Sequence, residues 1–195
     1  MNGRIVFLLE EPSMKLLLED LLPRIFAGWK VREQFLCIAH EGKNDLRKSI
    51  PRKLRAWRDA RDRFVILQDQ DQSDCKVLKQ GLIDLCEQAG REDAMVRIVC
   101  RELEAWYFGD LAAIANEYKE PSLLHRASRK KFQNPDAIDR PSGALQKLLA
   151  DFQKLSGARR MARCLSAESN TSRSFQVFLA GVKRLATQMG YSEPI

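Results

Sequence analysis

The sequence predicts an α/β fold: a mostly parallel four-stranded sheet flanked by helices, with a C-terminal helical extension. Three observations carry that prediction. Short apolar runs rich in Val, Ile and Phe alternate with segments of helical spacing up to residue 110. Such alternation implies parallel strands joined by right-handed crossovers. After residue 110 the strand signal stops, and the charge changes with it. Residues 1–110 hold 19 basic and 19 acidic side chains, whereas residues 111–195 hold 14 and 7. The expected division is therefore an α/β core over 1–110 and a basic helical extension over 111–195 packed on it.

The elements follow in order. Residues 4–9 form a short apolar run that suits a buried strand, and Ser13 can cap a helix carrying Leu16, Leu17, Leu21 and Leu22. Residues 31–39 read as the second strand. Residues 43–58 place Leu46, Ile50, Leu54 and Trp57 on one helical face, which Pro51 must accommodate. Residues 64–67 give the third strand, Asp74 caps a helix with Leu78, Leu82 and Leu85, and residues 96–99 give the fourth. Beyond these, 111–118 is helical, 119–141 is loop-rich with three prolines, and 142–155 is helical. The last helix, 175–189, aligns Phe175, Phe178, Leu179, Val182 and Leu185 in one stripe.

Composition excludes several classes. With 195 residues, 45% of them hydrophobic and 30% charged, the chain can bury a core and is not a disordered polymer. No apolar run approaches the about 18 residues of a membrane span, and nothing at the N-terminus reads as a signal peptide. Five scattered cysteines without a CxxC pair argue against a disulfide framework or zinc ribbon, so a reducing cytoplasm is expected. The net charge of +7, and a basic run from Arg47 through Arg52 and Lys53 to Arg63, suit a polyanionic partner as well as solvated helix faces.

Chemistry is expected beyond the carboxyl ends of the strands, where open α/β sheets bind ligands. Glu10 and Glu11 follow the first strand, and Asp69 and Asp71 follow the third. On an extended segment, residues i and i+2 face the same side, so the two aspartates can share a cation. Glu10 would complete an all-oxygen site suited to Mg²⁺ or Mn²⁺. The alternative is that these acids cap the helices that follow them. Lys43, after Gly42, can touch a phosphate, although the upstream glycine of a phosphate-binding loop is absent. His40 and His125 stand far apart, which gives a histidine-based site little support.

Several segments together carry a resemblance. They are Glu10-Glu11-Pro12-Ser13, Gly42-Lys43-Asn44-Asp45-Leu46, Asp69-Gln70-Asp71 with Asp74-Cys75, and Arg101-Glu102-Leu103-Glu104-Ala105-Trp106. Asn134-Pro135-Asp136-Ala137-Ile138-Asp139-Arg140-Pro141 and Ser172-Arg173-Ser174-Phe175 complete the set. A strand ending in Glu followed by a later strand ending in DxD resembles the Toprim domain of topoisomerases, primases and OLD-type nucleases. The whole set resembles more closely a Toprim-like bacterial family catalogued as domain of unknown function 4276. The resemblance implies that Glu10, Asp69 and Asp71 are metal ligands and catalytic. It places Glu104, or Glu102, as the acid that serves a second metal, and Lys154 as a catalytic lysine near the scissile phosphate. Glu11 departs from the pattern, because many Toprim proteins carry Gly there.

The expected function is a Mg²⁺- or Mn²⁺-dependent nuclease that cleaves DNA in preference to RNA. By resemblance it would be the effector of an anti-phage system, acting with a separately encoded ATPase. Lys43, Arg52, Lys53, Arg159, Arg160 and Arg173 are the expected nucleic-acid contacts. Two alternatives stay open at this point. One is a non-catalytic module that binds nucleic acid or an ATPase, and the other is a phosphotransfer enzyme acting on a nucleotide.

Overall fold

The computed structural model describes residues 3–191. Four parallel strands form one sheet in the order β2-β1-β3-β4, with β1 at Ile5–Leu9, β2 at Phe35–Ala39, β3 at Arg63–Asp69 and β4 at Met95–Val99. The predicted fold class is the observed one. Every residue of β1 is buried, because it lies between two other strands and is covered on both faces. That explains why it reads as an unbroken apolar run instead of an alternating one.

The two-residue period of the strands separates two cores. Ile5, Phe7, Leu9, Val65, Leu67 and Val99 face α1 (Pro12–Ile25) and the helices of the C-terminal half. Val6, Leu8, Phe64, Ile66 and Val96 face α2 (Lys43–Ala56) and α3 (Cys75–Glu87). The chain moves one way from β1 to β2 and the opposite way from β2 to β3 and β4. A single crossover hand therefore puts α1 on one face and α2 and α3 on the other.

After β4 come α4 (Glu104–Phe108), α5 (Leu111–Tyr118), α6 (Arg126–Lys131), α7 (Pro141–Leu148), α8 (Lys154–Ala162) and α9 (Arg173–Gln188). Short 3-10 turns at Pro121–Leu124 and Pro135–Ala137 connect them. The predicted stripe of α9 is buried in full. Trp106, Tyr107 and Phe108 are core residues; Trp106 packs against Phe175 and Phe178 and donates its indole N–H to Ser174 Oγ at 2.9 Å.

Two of the quoted segments meet at the start of α9. Asp136 accepts hydrogen bonds from Ser172 Oγ at 2.7 Å and from the Ser174 N–H at 2.8 Å, which ties the loop before α7 to the α9 N-terminus. Asn170 locks the same corner, donating to the Trp106 carbonyl at 2.8 Å and accepting from the Ser172 N–H at 2.9 Å. Gly109 lies beneath it: a Cβ there would stand 2.0 Å from Asn170 Oδ1 and 2.9 Å from the Ser172 nitrogen. Gly109→Ala is therefore expected to destabilise the fold by about 1–3 kcal/mol in urea unfolding, as overpacking does.

Some expected boundaries change. The second strand covers only 35–39, because Arg32 adopts a left-handed φ of 71° and turns the chain first. Ser13 lies inside the first turn of α1, which Glu11 precedes and Pro12 opens, so Ser13 is not the cap. The stretch 142–155 is two helices, not one. The chain turns between α7 and α8 and buries Phe152 against Gly157, where a Cβ would come within 2.5 Å of the ring. The loop-rich stretch 119–141 contains α6, which buries no residue of its own and so gave no apolar period. Among the described residues no helix is long and apolar enough to cross a membrane.

Candidate active site

The order β2-β1-β3-β4 makes β1 and β3 the topological switch point, where neighbouring strands send their chains in opposite directions and open a crevice. Glu10 leaves β1 at that crevice. Its N–H donates to the Leu67 carbonyl at 3.1 Å, and its Oε2 accepts the Asp69 N–H at 2.9 Å. Asp69 ends β3 on the α1 side, only 4% exposed, and its Oδ1 is buried without a hydrogen-bond partner. Asp71 sits in a left-handed turn (φ 51°), so the two aspartates do not share an extended segment as the spacing predicted. The Asp71 N–H donates to the Arg101 carbonyl at 2.8 Å, and its carboxylate pairs with Lys43 Nζ at 3.3 Å at the start of α2.

Two further elements close the crevice from the C-terminal half. Glu104 opens α4, is fully buried, and neither of its carboxylate oxygens has a hydrogen-bond partner. Lys154 opens α8 and reaches Glu11 at 3.2 Å to Oε2 and 3.4 Å to Oε1. Ser13 Oγ donates to the same Glu11 carboxylate. Tyr107, one turn beyond Glu104, also buries its hydroxyl without a partner.

The electrostatics follow from this crowding. Glu11, Asp69 and Glu104 share one ammonium, that of Lys154, while Glu10 lies between Asp69, Asp71 and the ammonium of Lys43. Burial, the largest cause, with Asp71 and Glu11 nearby, pushes Glu10 up to about 7 against the backbone bond from Asp69. Burial likewise raises Glu104 to about 7, with Lys154 opposing it and Glu11 and Glu102 assisting. Asp69 is held well above the usual carboxylate range by burial and by Glu11, Glu104 and Glu10. Burial pulls the Lys154 ammonium down, but Glu104, Glu11 and Asp69 outweigh it, so Lys154 is shifted upward and stays charged.

The segments that form this crevice fall within one family match: the model described as a domain of unknown function, DUF4276, covers residues 9–183. The chain belongs to that family. None of the curated proteins matches it. Its fold is similar to a solved structure, the C-terminal region of the Burkholderia pseudomallei OLD protein, at a TM-score of 0.56 and 16% identity. That likeness covers 95% of this chain and 99% of the other. The Toprim-like fold expected from the DUF4276 resemblance is thus the fold observed.

In this DUF4276 chain Asp69 links two groups of the crevice: Glu104 and Lys154 with Glu11, and Glu10 with Asp71 and Lys43. Glu102 is used elsewhere: its Oε2 accepts the Ser142 N–H at 2.7 Å and caps α7. Arg52 and Lys53 lie nine and ten residues after Lys43 on α2, about 14 Å along its axis and away from the crevice. Arg160 is engaged by Glu117 at 2.9 Å and Asp151 at 2.7 Å and stacks over Tyr118. Arg159 is exposed on α8, and Arg173 is exposed at the start of α9. Sequence reasoning missed two members of the crevice, Glu11 as the partner of Lys154 and the buried Tyr107. The adjacency of Glu11 to Glu10 was the available signal for the first; nothing in the apolar run Trp106-Tyr107-Phe108 marks the second.

Among the described residues no three His, Cys, Asp or Glu side chains converge into a ready-made ion cage. The donor chemistry nevertheless fits a hard divalent cation. Three buried carboxylate oxygens, Asp69 Oδ1 and both of Glu104, have no partner, and Glu10 lies next to Asp69.

Proposed function

We propose that this chain is a Mg²⁺- or Mn²⁺-dependent nuclease that hydrolyses phosphodiester bonds, in DNA ahead of RNA. One observation carries the reading: Asp69 and Glu104 bury unpartnered carboxylate oxygens, and Glu10 accepts the Asp69 N–H, at the switch-point crevice of a Toprim-like sheet. Carboxylates kept this close and dry cost stability, and a ligand cation offsets that cost. Glu10, Asp69, Asp71 and Glu104 would hold it. When bound, such a cation polarises a phosphoryl oxygen and lowers the pKa of a water.

The chain's own groups supply the rest. The value of about 7 for Glu10 belongs to the cation-free protein; a bound cation would lower it and keep the carboxylate ionised as a ligand. Lys154, anchored by Glu11, presents a fixed positive charge to a phosphate as negative charge builds on it. Lys43 performs the same task at the rim, next to Asp71. Lys154→Met is expected to lower cleavage about 10²–10³-fold. It should also destabilise the cation-free protein more at pH 8 than at pH 5, because Glu104 and Glu11 then lose their counter-charge; thermal melting at both pH values checks this.

The DUF4276 resemblance adds a biological frame for the proposal, an anti-phage effector in the cytoplasm working with a separate ATPase. The competing reading is a non-catalytic binding module. The ion pairs Lys43–Asp71 and Lys154–Glu11 favour it, since they give two of the acids a structural use. Cleavage of supercoiled plasmid and of a structured RNA with Mg²⁺ or Mn²⁺ separates the two, with Asp69→Ala/Asp71→Ala run in parallel. Cleavage by the wild type alone supports the nuclease and selects its polymer. Cleavage that survives the double substitution overturns it.

A further inference from the structure

An open cleft of about 730 Å³ lies between α6, the Pro135–Ala137 turn and α7. Lys130 and Lys131 border it from α6, and Arg140 and Lys147 from the α7 side; all four are exposed. Among the described residues no carboxylate lies within 4.0 Å of any of these cations. The lining includes one acid, Asp139, and that side chain is turned toward Gln72 Nε2 at 3.2 Å and Arg101 Nη1 at 3.9 Å. Half-buried Ile138 and Leu148 make the floor apolar.

Lys131 lies over the Phe132 ring at 5.1 Å, and this pairing of an apolar floor with a basic rim that no carboxylate neutralises selects the ligand chemistry. A duplex offers phosphates on a convex cylinder and hides its base faces, so an apolar concavity gives it nothing. A single strand exposes both: its bases can lie on the floor while its phosphates meet the lysines and the arginine. Lys130 and Lys131 on α6, Arg140 before α7 and Lys147 on α7 offer charges to more than one phosphate. The position agrees with such a path, because Asp139 and Gln72 join the cleft wall to the loop that carries Asp71, whose N–H is bonded to the Arg101 carbonyl. We propose that this cleft binds single-stranded nucleic acid and leads the unpaired strand toward the carboxylate crevice. The direction of the path rests on the nuclease reading; the affinity of the cleft does not.

The test is fluorescence anisotropy of labelled dT12, U12 and a 12-base-pair blunt duplex on the full chain in EDTA, where no metal-dependent cleavage can intervene. Both single strands are expected to bind at least about tenfold more tightly than the duplex, and a difference between dT12 and U12 tells which polymer the cleft prefers. Lys130→Glu/Lys147→Glu should weaken single-strand binding at least tenfold and reduce the slope of log affinity against log salt by about 1.4, two contacts at about 0.7 each. Gly143→Leu supplies a second variant that fills the cleft without removing a charge. The nearest atom to a Cβ at that position is Arg140 Cβ at 3.8 Å, an ordinary contact, so the fold should tolerate it. It should weaken binding as well, whereas Lys30→Glu, away from the cleft, should not. Equal or tighter duplex binding, or single-strand affinity unchanged in both cleft variants, overturns the proposal. Loss of plasmid cleavage in wild-type protein with single-strand binding intact would instead remove the nuclease reading and leave the cleft.

Discussion

Asp69→Asn is expected to reduce cleavage at least about a thousand-fold while leaving the protein as stable as the wild type or more so. The two effects have one cause. Asp69 is buried with Oδ1 unpartnered and is held well above the usual carboxylate range by burial and three neighbouring acids. Asparagine keeps the shape and removes a charge that costs the folded state free energy, so the melting temperature does not fall. The same change would remove a hard anionic ligand from the proposed reaction centre, and a thousand-fold loss corresponds to about 4 kcal/mol of transition-state stabilisation. Single-turnover cleavage and thermal melting on the same preparation check both halves. A core aspartate with a purely structural role would show the opposite pattern, with stability lost and activity lowered only in proportion to unfolding.

The second large effect is a pH dependence of stability that a divalent cation cancels. Glu104 is fully buried and titrates at about 7 in the folded protein, against 4.5 for an ordinary glutamate. The folded state therefore binds more protons than the unfolded state between those values. The contribution of Glu104 to stability is fully present below pH 4.5, is lost as pH rises through about 7, and stays lost above it. Without metal, the protein should melt at a lower temperature at pH 8 than at pH 5. Glu104→Gln should flatten that slope and stabilise the cation-free protein at pH 8 by about 1–3 kcal/mol. Millimolar Mg²⁺ should restore the wild type at pH 8 and do little at pH 5, where the carboxyls are protonated. Differential scanning fluorimetry across pH, with and without Mg²⁺, reads all three outcomes.

The pattern of sequence success and failure has a physical basis. Ile5 to Leu9 announces a doubly covered central strand, and the α9 stripe announces a packed helix, because burial writes a local period into the chain. Glu10 and Asp69 were legible as a pair because strand ends in a parallel sheet are places of known use. The geometry around Asp71 was not, since a left-handed turn at an aspartate leaves no mark in an Asp-Gln-Asp spacing. Glu104 came from the family resemblance, and only the packing of α4 separates it from Glu102, which caps α7 two residues earlier. Arg160 illustrates the converse: a basic residue in a basic half, it is engaged by Glu117 and Asp151, pairings between distant segments that composition does not reveal.

The proposed function requires a divalent-cation site formed by Glu10, Asp69 and Glu104. Calorimetric titration of Mn²⁺ into the cation-free protein at pH 7.5, repeated in two buffers of different ionisation enthalpy, tests it directly. Saturable binding with protons released to the buffer is expected, and that binding should be lost in Asp69→Asn/Glu104→Gln with the fold retained. No binding by the wild type, or equal binding by the double variant, would contradict it.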